Sequence, residues 1–272
     1  MALSFNDQMK KGTLVIDSLN LAFRWKHQGR SDFRYDYQKT VQSLADSYKC
    51  DQIIITADAG ASTYRKGIRS DYKQNRKEKY STQTEEEKIA FEEFFEEFKA
   101  TLDIMEWPVL QFAGVEADDI AAHLVKNKDV YGFENMWLIS SDRDWDLLIQ
   151  EGVSRFSYVN RKEVTIDNWS EHYDVTPEEF ISLKCLTGDK GDNVPGIPGI
   201  GPKRALTLIQ EYGDAFSIYD AAPIPGKYKY IESLNENYEQ ILQNYELMDL
   251  ITFCDEAICK NNVAEIKERF AC

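Results

Sequence analysis

Cysteine and histidine are scarce in this sequence, and they are not spaced as metal ligands. The 272 residues include five cysteines and three histidines, and the cysteines form no CxxC pair. An odd number of unpaired cysteines does not predict a disulfide framework, and this spacing does not predict a zinc site. We therefore expect reduced thiols, as in a cytoplasmic protein.

Long apolar runs are missing as well. No stretch reaches the roughly 18 consecutive apolar residues that a membrane-spanning helix needs. The first residues, MALSFNDQMKKG, lack the apolar centre of a signal peptide. A content of 43% hydrophobic and 12% aromatic residues is typical of a globular chain. We expect a soluble cytoplasmic protein with no membrane partner.

Positive charge is deficient overall but concentrated in one place. The formal net charge is −15, which argues against a nucleic-acid partner because phosphate binding needs lysine and arginine. Between residues 64 and 80, however, seven basic residues stand against Asp71 and Glu78. The seven are Arg65, Lys66, Arg69, Lys73, Arg76, Lys77 and Lys79. This local excess predicts contact with an anionic partner.

Short apolar runs followed by acidic residues recur in the first part of the chain. The runs are residues 13–16, 52–56, 109–112 and 136–139, and the acids are Asp17, Asp58, Glu116 and Asp142. Such runs, alternating with helical spacing, predict a parallel sheet with helices on both faces. We also predict a strand near the sheet edge at residues 154–159, a loop at residues 17–20 and a helix at residues 146–150.

A long connection separates the second and third predicted strands. It holds the basic segment and then a helix with a phenylalanine stripe, whose start is predicted by a capping box of Thr84 and Glu87. Because sites in parallel sheets lie beyond the carboxyl ends of the strands, this connection is expected over the site. From Thr176 onward the pattern is helical. We predict an α/β core over residues 1–175 and a helical portion over residues 176–272.

Nine acidic residues occupy strand ends, helix starts or the approach to a glycine-rich hairpin. They are Asp17, Asp58, Glu116, Asp118, Asp119, Asp142, Asp144, Asp189 and Asp192. Carboxylates gathered at one sheet edge repel one another and take up protons unless cations neutralise them. Oxygen ligands favour Mg²⁺ or Mn²⁺ over zinc. Glu116 and Asp119 share a helix face, whereas Asp118 points elsewhere unless Glu116 precedes the first turn.

Residues 188–205 read GDKGDNVPGIPGIGPKRA. Gly196, Gly199 and Gly201, together with two prolines, cannot form an ordinary helix and predict a tight hairpin. A helix follows, and its free backbone amides attract phosphate. Lys203 and Arg204 add positive charge at that helix start. The pattern therefore predicts a binding site for a phosphate backbone next to Asp189 and Asp192.

Seven motifs occur in order: DSLN, the strand-end Asp58, DYKQNR, GVEADD, SSDRD, GDKGDN and GIPGIGPKR. From about residue 14 to residue 230 they resemble the 5′-nuclease family, which includes bacteriophage flap endonucleases and the 5′-nuclease domain of bacterial DNA polymerase I. The resemblance implies a PIN-like α/β core with a mainly parallel sheet. It also implies a helical arch at about residues 64–105 and a helix-hairpin-helix at about residues 180–212.

The resemblance further implies a reaction. Two or more Mg²⁺ ions, with Mn²⁺ as a substitute, would support flap endonuclease and 5′→3′ exonuclease cleavage of DNA near junctions during replication and flap removal, leaving 5′-phosphates. The first metal would be surrounded by Asp17, Asp58, Glu116, Asp118, Asp142 and Asp144. The second would be held by Asp119, Asp189 and Asp192, with Asp144 between the two.

Roles for the basic residues follow from the same resemblance. Lys73 and Arg76 would bind the scissile phosphate, and Tyr72 would stack on an unpaired base. Further DNA contacts would come from Arg65, Lys66, Arg69, Gly196, Gly199, Gly201, Lys203 and Arg204. The implied hairpin can also bind K⁺ through backbone carbonyls.

The predicted partners are DNA with 5′ flaps or 5′ single-stranded ends, RNA–DNA hybrids and a separate DNA polymerase, and the protein is expected to be a monomer. Two other interpretations are open. A single-stranded ribonuclease on a similar acidic scaffold would generally lack the arch and the hairpin. A junction-binding protein without activity would show gaps in the carboxylate set, and this sequence shows none of them.

Overall fold

A six-stranded sheet forms the centre of the protein, in a computed structural model that describes residues 12–271. The strand order is β3-β2-β1-β4-β5-β6. The strands are β1 (Gly12–Asp17), β2 (Cys50–Ala57), β3 (Val109–Gln111), β4 (Asn135–Ile139), β5 (Val153–Ser157) and β6 (Lys162–Val164). Strands β1 to β5 are parallel, and β6 runs antiparallel to β5. The predicted mainly parallel sheet is confirmed, with β5 next to the edge strand.

Helices cover both faces of this sheet. The first six are α1 (Ser18–His27), α2 (Arg34–Tyr48), α3 (Thr63–Ile68), α4 (Gln74–Ser81), α5 (Glu85–Asp103) and α6 (Ala117–Lys126). Because successive strand residues face opposite sides, Leu14 and Ile16 join the apolar cluster under α1, α2 and α5. Val15 joins the cluster under α6 instead. The strands are buried on both sides, as their continuous apolar sequences predict.

Two local predictions are corrected by the structure. Residues 18–20 are not a loop, because α1 begins directly after β1 and Asp17 caps it by accepting a hydrogen bond from the Asn20 amide at 3.3 Å. In place of the helix predicted at residues 146–150, a 3-10 helix spans Arg143–Leu148. It starts early because the Asp142 carboxylate accepts the amide of Asp144 at 3.0 Å. Both strand ends therefore lead straight into helical turns.

The helical portion builds a second apolar core. It contains β7 (Gly188–Asp189) and β8 (Val194–Pro195), which pair in antiparallel fashion. Its helices are α7 (Pro177–Thr187), α8 (Pro202–Tyr212), α9 (Ala215–Ala221), α10 (Lys229–Asn237) and α11 (Glu239–Met248). Their shared core includes Phe180, Leu186 and Ile218.

The last two helices return to the sheet. They are α12 (Leu250–Ile258) and α13 (Lys260–Phe270), in a region where the sequence showed no motif. Leu250, Ile258 and Phe270 belong to the same apolar cluster as Val15. The predicted boundary after residue 175 separates the sheet-forming part of the sequence from the helical part. In the structure, the last two helices of the helical part nevertheless pack against the sheet. Within residues 12–271 no helix has both the length and the apolarity to cross a bilayer.

Candidate active site

Four aspartates from different elements meet at the carboxyl edge of the sheet. Asp17 ends β1, Asp58 follows β2, Asp118 lies in the first turn of α6 and Asp142 follows β4. Asp118 lies close enough to each of the other three for their charges to interact. Asp17 likewise interacts with Asp58 and Asp142. The parallel topology thus gathers residues that are widely separated in sequence.

Neighbouring groups fix the direction of two of these carboxylates. Ser140 Oγ donates to Asp17 Oδ2 at 2.6 Å, and Trp145 Nε1 donates to Asp118 Oδ1 at 2.6 Å. Glu116 is the N-cap residue of α6 and so precedes its first turn. This was the condition under which Asp118 would face the other acids, and the structure places it among them.

The electrostatics of this group favour a bound cation. Burial, and then the charges of Asp58 and Asp142, raise the pKa of Asp17 to about 8. Burial and Asp142 also raise the pKa of Asp118, and burial raises that of Asp58. Without counter-charge, carboxylates this close hold protons at neutral pH. Their oxygen donors, with no nitrogen or sulfur among them, fit a hard divalent cation such as Mg²⁺ or Mn²⁺.

Residues 72–76 of the arch segment, from the end of the α3–α4 connection into the first turn of α4, contact two further carboxylates. Lys73 Nζ lies 2.7 Å from Glu116 Oε1 and 3.4 Å from Asp192 Oδ2. Arg76 Nη2 lies 2.7 Å from Asp192 Oδ1, and the Tyr72 hydroxyl donates to Asp192 Oδ2 at 2.9 Å. Burial alone would lower the pKa of Lys73, but Glu116 and Asp192 outweigh it and raise the pKa. Lys73 is therefore a fixed cation beside the four aspartates.

Arg65 and Asp119 form a buried ion pair. Arg65 is 3% exposed and Asp119 is 0% exposed. The guanidinium donates to both oxygens of Asp119 at 2.7 and 2.8 Å and to the Leu247 carbonyl at 2.8 Å. The DNA contact predicted for Arg65 and the metal-ligand role predicted for Asp119 stay predictions, and both would require this buried pair to separate. These contacts of Arg65 hold α3, at the start of the arch segment, against α6 and α11.

Tyr72 also lies inside the protein. Only 3% of the residue is exposed, and its ring belongs to a small apolar cluster with Val194, Leu247 and Met248. Stacking on an unpaired base stays a prediction, and it would require the ring to move out of this cluster. Its hydroxyl donates to Asp192, so Tyr72 positions a carboxylate.

A lysine that the sequence analysis missed joins two of the predicted acids. Lys184 Nζ lies 2.5 Å from Asp144 Oδ1 and 3.2 Å from Asp189 Oδ2. Burial, opposed by Lys184 and reinforced by Asp142, raises the pKa of Asp144 to about 6. Burial would raise the pKa of Asp189 as well, but Lys184 lowers it. Asp144 thus lies between the four-aspartate group and Asp189.

The hairpin depends on glycines at close backbone contacts. A Cβ atom on Gly196 would lie 2.2 Å from the Thr187 carbonyl oxygen, and Gly199 has a φ of +81°. Gly201 is the N-cap residue of α8, and it has open space around it. Arg204 Nη1 donates to the Gly199 carbonyl at 2.5 Å, and Lys203 is exposed next to it. The hairpin therefore presents a helix start and a lysine to solvent.

Two further predicted DNA contacts, Lys66 and Arg69, lie in α3 and at its end. Arg69 Nε is 2.7 Å from Asp71 Oδ1, which neutralises part of its charge. Lys66 is half-buried, and it lines a cleft together with Tyr72 and Lys77. Of these side chains, Lys77 is exposed. Phosphate contacts by Lys66 and Arg69 remain predictions.

Comparison with known proteins identifies the family. Residues 13–174 match the profile described as "5'-3' exonuclease, N-terminal resolvase-like domain". Residues 175–267 match "5'-3' exonuclease, C-terminal SAM fold". The chain belongs to the 5′-3′ exonuclease family. The resemblance drawn from the seven motifs is thereby confirmed.

Relatives of this 5′-3′ exonuclease include a phage enzyme. The flap endonuclease of Escherichia phage T5 is 43% identical over 255 residues, which are 92% of this chain and 87% of the relative. A crystal structure of the T5 D15 flap endonuclease, described as a pseudo-enzyme-product complex with DNA and metal ions, has a TM-score of 0.91 at 40% identity and covers 95% of this chain and 97% of that one. DNA polymerase I of Rhizobium leguminosarum is 33% identical, over 74% of this chain but 19% of the polymerase.

Little in the sequence around Lys184 marks it as part of the site. The lysine lies on α7 among the buried neighbours Ser182, Cys185 and Leu186, where an isolated basic residue carries no motif. Its position five residues before Asp189 was the one available signal. A lysine in the last turn of a helix is also common for a simpler reason, since it interacts favourably with the helix dipole.

Proposed function

We propose that the protein hydrolyses phosphodiesters of DNA near junctions of duplex and 5′ single strand, as a Mg²⁺-dependent flap endonuclease and 5′→3′ exonuclease with Mn²⁺ as a substitute. The observation that carries the proposal is the group of four aspartates with interacting charges beside the partly buried Lys73. The phage T5 relative is named a flap endonuclease, and its structure is described with DNA and metal ions.

Two sets of oxygen ligands fit the cations. Asp17, Asp58, Asp118 and Asp142 would hold one ion. Asp144 and Asp189 would hold a second, after Lys184 moves from between them. When bound, two such ions lower the pKa of a water and stabilise the attacking and leaving oxygens of an in-line displacement. The products would carry 5′-phosphate and 3′-hydroxyl ends.

Lys73 and Arg76 are assigned to the scissile phosphate. In the arrangement described, both are paired with carboxylates, so an incoming phosphate would have to replace Glu116 or Asp192 as their partner. Phosphate offers the same charge-assisted hydrogen bonds that these carboxylates accept. The exchange would place a cation where negative charge grows in the transition state. Glu116 then serves to hold Lys73 ready rather than to bind metal directly.

The hairpin is assigned to the phosphates of the duplex. Lys203 and the free amides at the start of α8 can bind the backbone without reading bases, so selectivity would be for structure rather than sequence. For K⁺ to bind the Gly199 carbonyl, Arg204 would have to release it. The chain aligns with about a fifth of DNA polymerase I. Further parts of the proposal are a separate polymerase as partner, RNA–DNA hybrids as an additional substrate, the host cytoplasm as location and a monomeric state.

A cleavage assay tests this function. A 5′-labelled flap duplex of DNA, its RNA counterpart and a blunt duplex are each incubated with Mg²⁺ or with a chelator. We expect Mg²⁺-dependent release of the DNA flap and slower trimming of the blunt duplex. Cleavage of single-stranded RNA alone would favour the ribonuclease interpretation, and tight flap binding without cleavage would favour the inactive one.

A substitution connects the assay to the carboxylates. Asp142→Asn should slow cleavage at least about 10²-fold, because metal ions supply several kcal/mol of transition-state stabilisation and about 1.4 kcal/mol is tenfold in rate. Asp129→Asn is the matched control, since that carboxylate is 90% exposed and lies on a helix–strand connection. Equal activity of the two variants would contradict the metal assignment.

A further inference from the structure

A buried group of side chains outside the carboxylate site has the donor atoms of a zinc ligand set. His123 of α6 faces Cys254 and Asp255 of α12, and their ligand atoms all lie within 4.8 Å of one another. His123 and Cys254 are 0% exposed, whereas the Asp255 side chain is 38% exposed and opens the group to solvent. We propose that these three residues bind a divalent cation of the zinc class.

The donor chemistry selects the class of ion. A thiolate sulfur, an imidazole nitrogen and a carboxylate oxygen are the ligands that zinc takes in proteins, whereas Mg²⁺ prefers oxygen alone. The thiolate and the carboxylate together carry two negative charges, so the complex with one divalent ion is neutral. A neutral complex can be buried without the cost that an unpaired charge would bring. The site would therefore discriminate against the ions that bind the four aspartates.

Surrounding contacts orient two of the ligands. The Tyr131 hydroxyl lies 2.7 Å from His123 Nε2. With the ring proton on Nε2 and donated to Tyr131, the lone pair of Nδ1 faces Cys254 and Asp255. Lys126 Nζ lies 3.5 Å from Asp255 Oδ2, which leaves Oδ1 directed at the histidine. Partners of this kind are typical around ligands at metal sites, where they fix the tautomer and the direction of the lone pairs.

The existing hydrogen bonds must be exchanged when the ion binds. Asp255 Oδ1 lies 2.5 Å from His123 Nδ1, and Cys254 Sγ lies 3.7 Å from Asp255 Oδ1. Burial raises the pKa of Cys254 to about 12, so without metal the group is a thiol. On binding, the thiol proton leaves to solvent. The neutral imidazole, whose Nδ1 proton is bonded to Asp255 before the ion arrives, carries its proton on Nε2 instead and so frees the Nδ1 lone pair for the ion. One cation therefore replaces one proton.

Such an ion would join two helices that are distant in sequence. His123 and Asp255 are 132 positions apart, so no spacing rule applied to the sequence could reveal them as ligands. The helix α6 begins with the acids of the carboxylate site, and α12 is one of the two helices that return to the sheet. Metal binding would stabilise their packing, because a ligand that binds only the folded state adds to its stability.

Cobalt spectroscopy tests the site without reference to nuclease activity. The protein is stripped with a chelator, saturated with Mg²⁺ to occupy oxygen sites and titrated with Co²⁺, whose bond to a thiolate gives a near-ultraviolet charge-transfer band. We expect about one equivalent of Co²⁺ to produce the band and Zn²⁺ to abolish it. Cys254→Ser should lack the band. Cys259→Ser should retain it, since that cysteine lies on the same segment but is exposed.

Three outcomes would overturn the proposal: no charge-transfer band in the unsubstituted protein, a band that persists in Cys254→Ser, or a band lost equally in Cys259→Ser. If circular dichroism shows that Cys254→Ser is unfolded, Asp255→Asn decides the question, because it keeps the thiol. Its Zn²⁺ affinity, measured by calorimetry, should fall at least tenfold, and an unchanged affinity would reject the site. We expect variants that lose this site to cleave the DNA flap at an unchanged rate, so its failure can be told apart from failure of the proposed function.

Discussion

Asp17→Asn should stabilise the metal-free protein at alkaline pH while removing its response to Mg²⁺. In the folded protein the pKa of Asp17 is raised from 3.8 to about 8, by burial and by the neighbouring carboxylates. A group with a raised folded pKa favours the folded state at low pH, and this contribution is lost as pH rises through the interval between the two values. Asparagine cannot ionise and so avoids the loss.

The size of the effect follows from the pKa interval. One pKa unit corresponds to about 1.4 kcal/mol, so the raised pKa lowers the folding stability, relative to a side chain that stays neutral, by about 5 kcal/mol at pH 8 and about 2 kcal/mol at pH 5. These costs are large beside the roughly 5–15 kcal/mol stability of a typical protein. The substitution also keeps an oxygen for the Asn20 amide, and the Ser140 hydroxyl can reverse its hydrogen bond. Little else in the fold should change.

Denaturant unfolding in chelator, from pH 5 to pH 8, measures the difference. The free energy of unfolding of Asp17→Asn should exceed that of the unsubstituted protein by several kcal/mol at pH 8, with the gap narrowing toward pH 5. Asp51→Asn, an exposed change at the start of β2, should behave like the unsubstituted protein. Adding Mg²⁺ should stabilise all but Asp17→Asn. A variant that is destabilised at pH 8, or that still responds fully to Mg²⁺, would refute the reasoning.

Three further changes probe other parts of the site. Lys73→Ala should lower the single-turnover cleavage rate about 10²- to 10³-fold, with a much smaller change in DNA affinity by fluorescence anisotropy; an affinity loss alone would contradict its assigned role. Arg65→Met should cost about 3–5 kcal/mol in denaturant unfolding because Asp119 is left buried without a partner, and a cost below 1 kcal/mol would show that the pair is unimportant. Gly196→Ala should weaken duplex binding, because its Cβ would lie 2.2 Å from the Thr187 carbonyl oxygen and so distort the hairpin; an unchanged affinity by fluorescence anisotropy would contradict the role of the hairpin.

Much of the fold was predictable because its signals are local. Continuous apolar runs indicate strands covered on both faces, and the capping boxes of Thr84 with Glu87 and of Thr176 with Glu179 are both present in the structure. The convergence of Asp17, Asp58 and Asp142 follows from topology alone, since parallel strands end at the same edge. These features need no knowledge of long-range packing.

The contacts that the sequence does not reveal are those where packing decides between alternative uses of a side chain. Arg65 belongs to a basic segment, and its sequence neighbours do not reveal that Asp119 lies opposite it in the interior. Tyr72 has the same neighbours, yet Val194 and Met248 cover its ring. Lys184 could be assigned to Asp144 only once α7 is placed against the 3-10 helix. The sequence shows which residues are charged, but it does not show which partner each charged side chain contacts.

The return of α12 and α13 to the sheet means that the hairpin region is held from both sides. The chain leaves the core before α7 and re-enters it at Leu250. Just before that point, the Leu247 carbonyl accepts a hydrogen bond from Arg65, which connects the end of α11 to α3. The segment from α7 to α11 is therefore attached to the core at both of its ends. The distance from duplex phosphates to the four aspartates would then be set by the packing of α12 and α13 on the core, so a substitution that loosens this packing should spread the cleavage positions along the substrate.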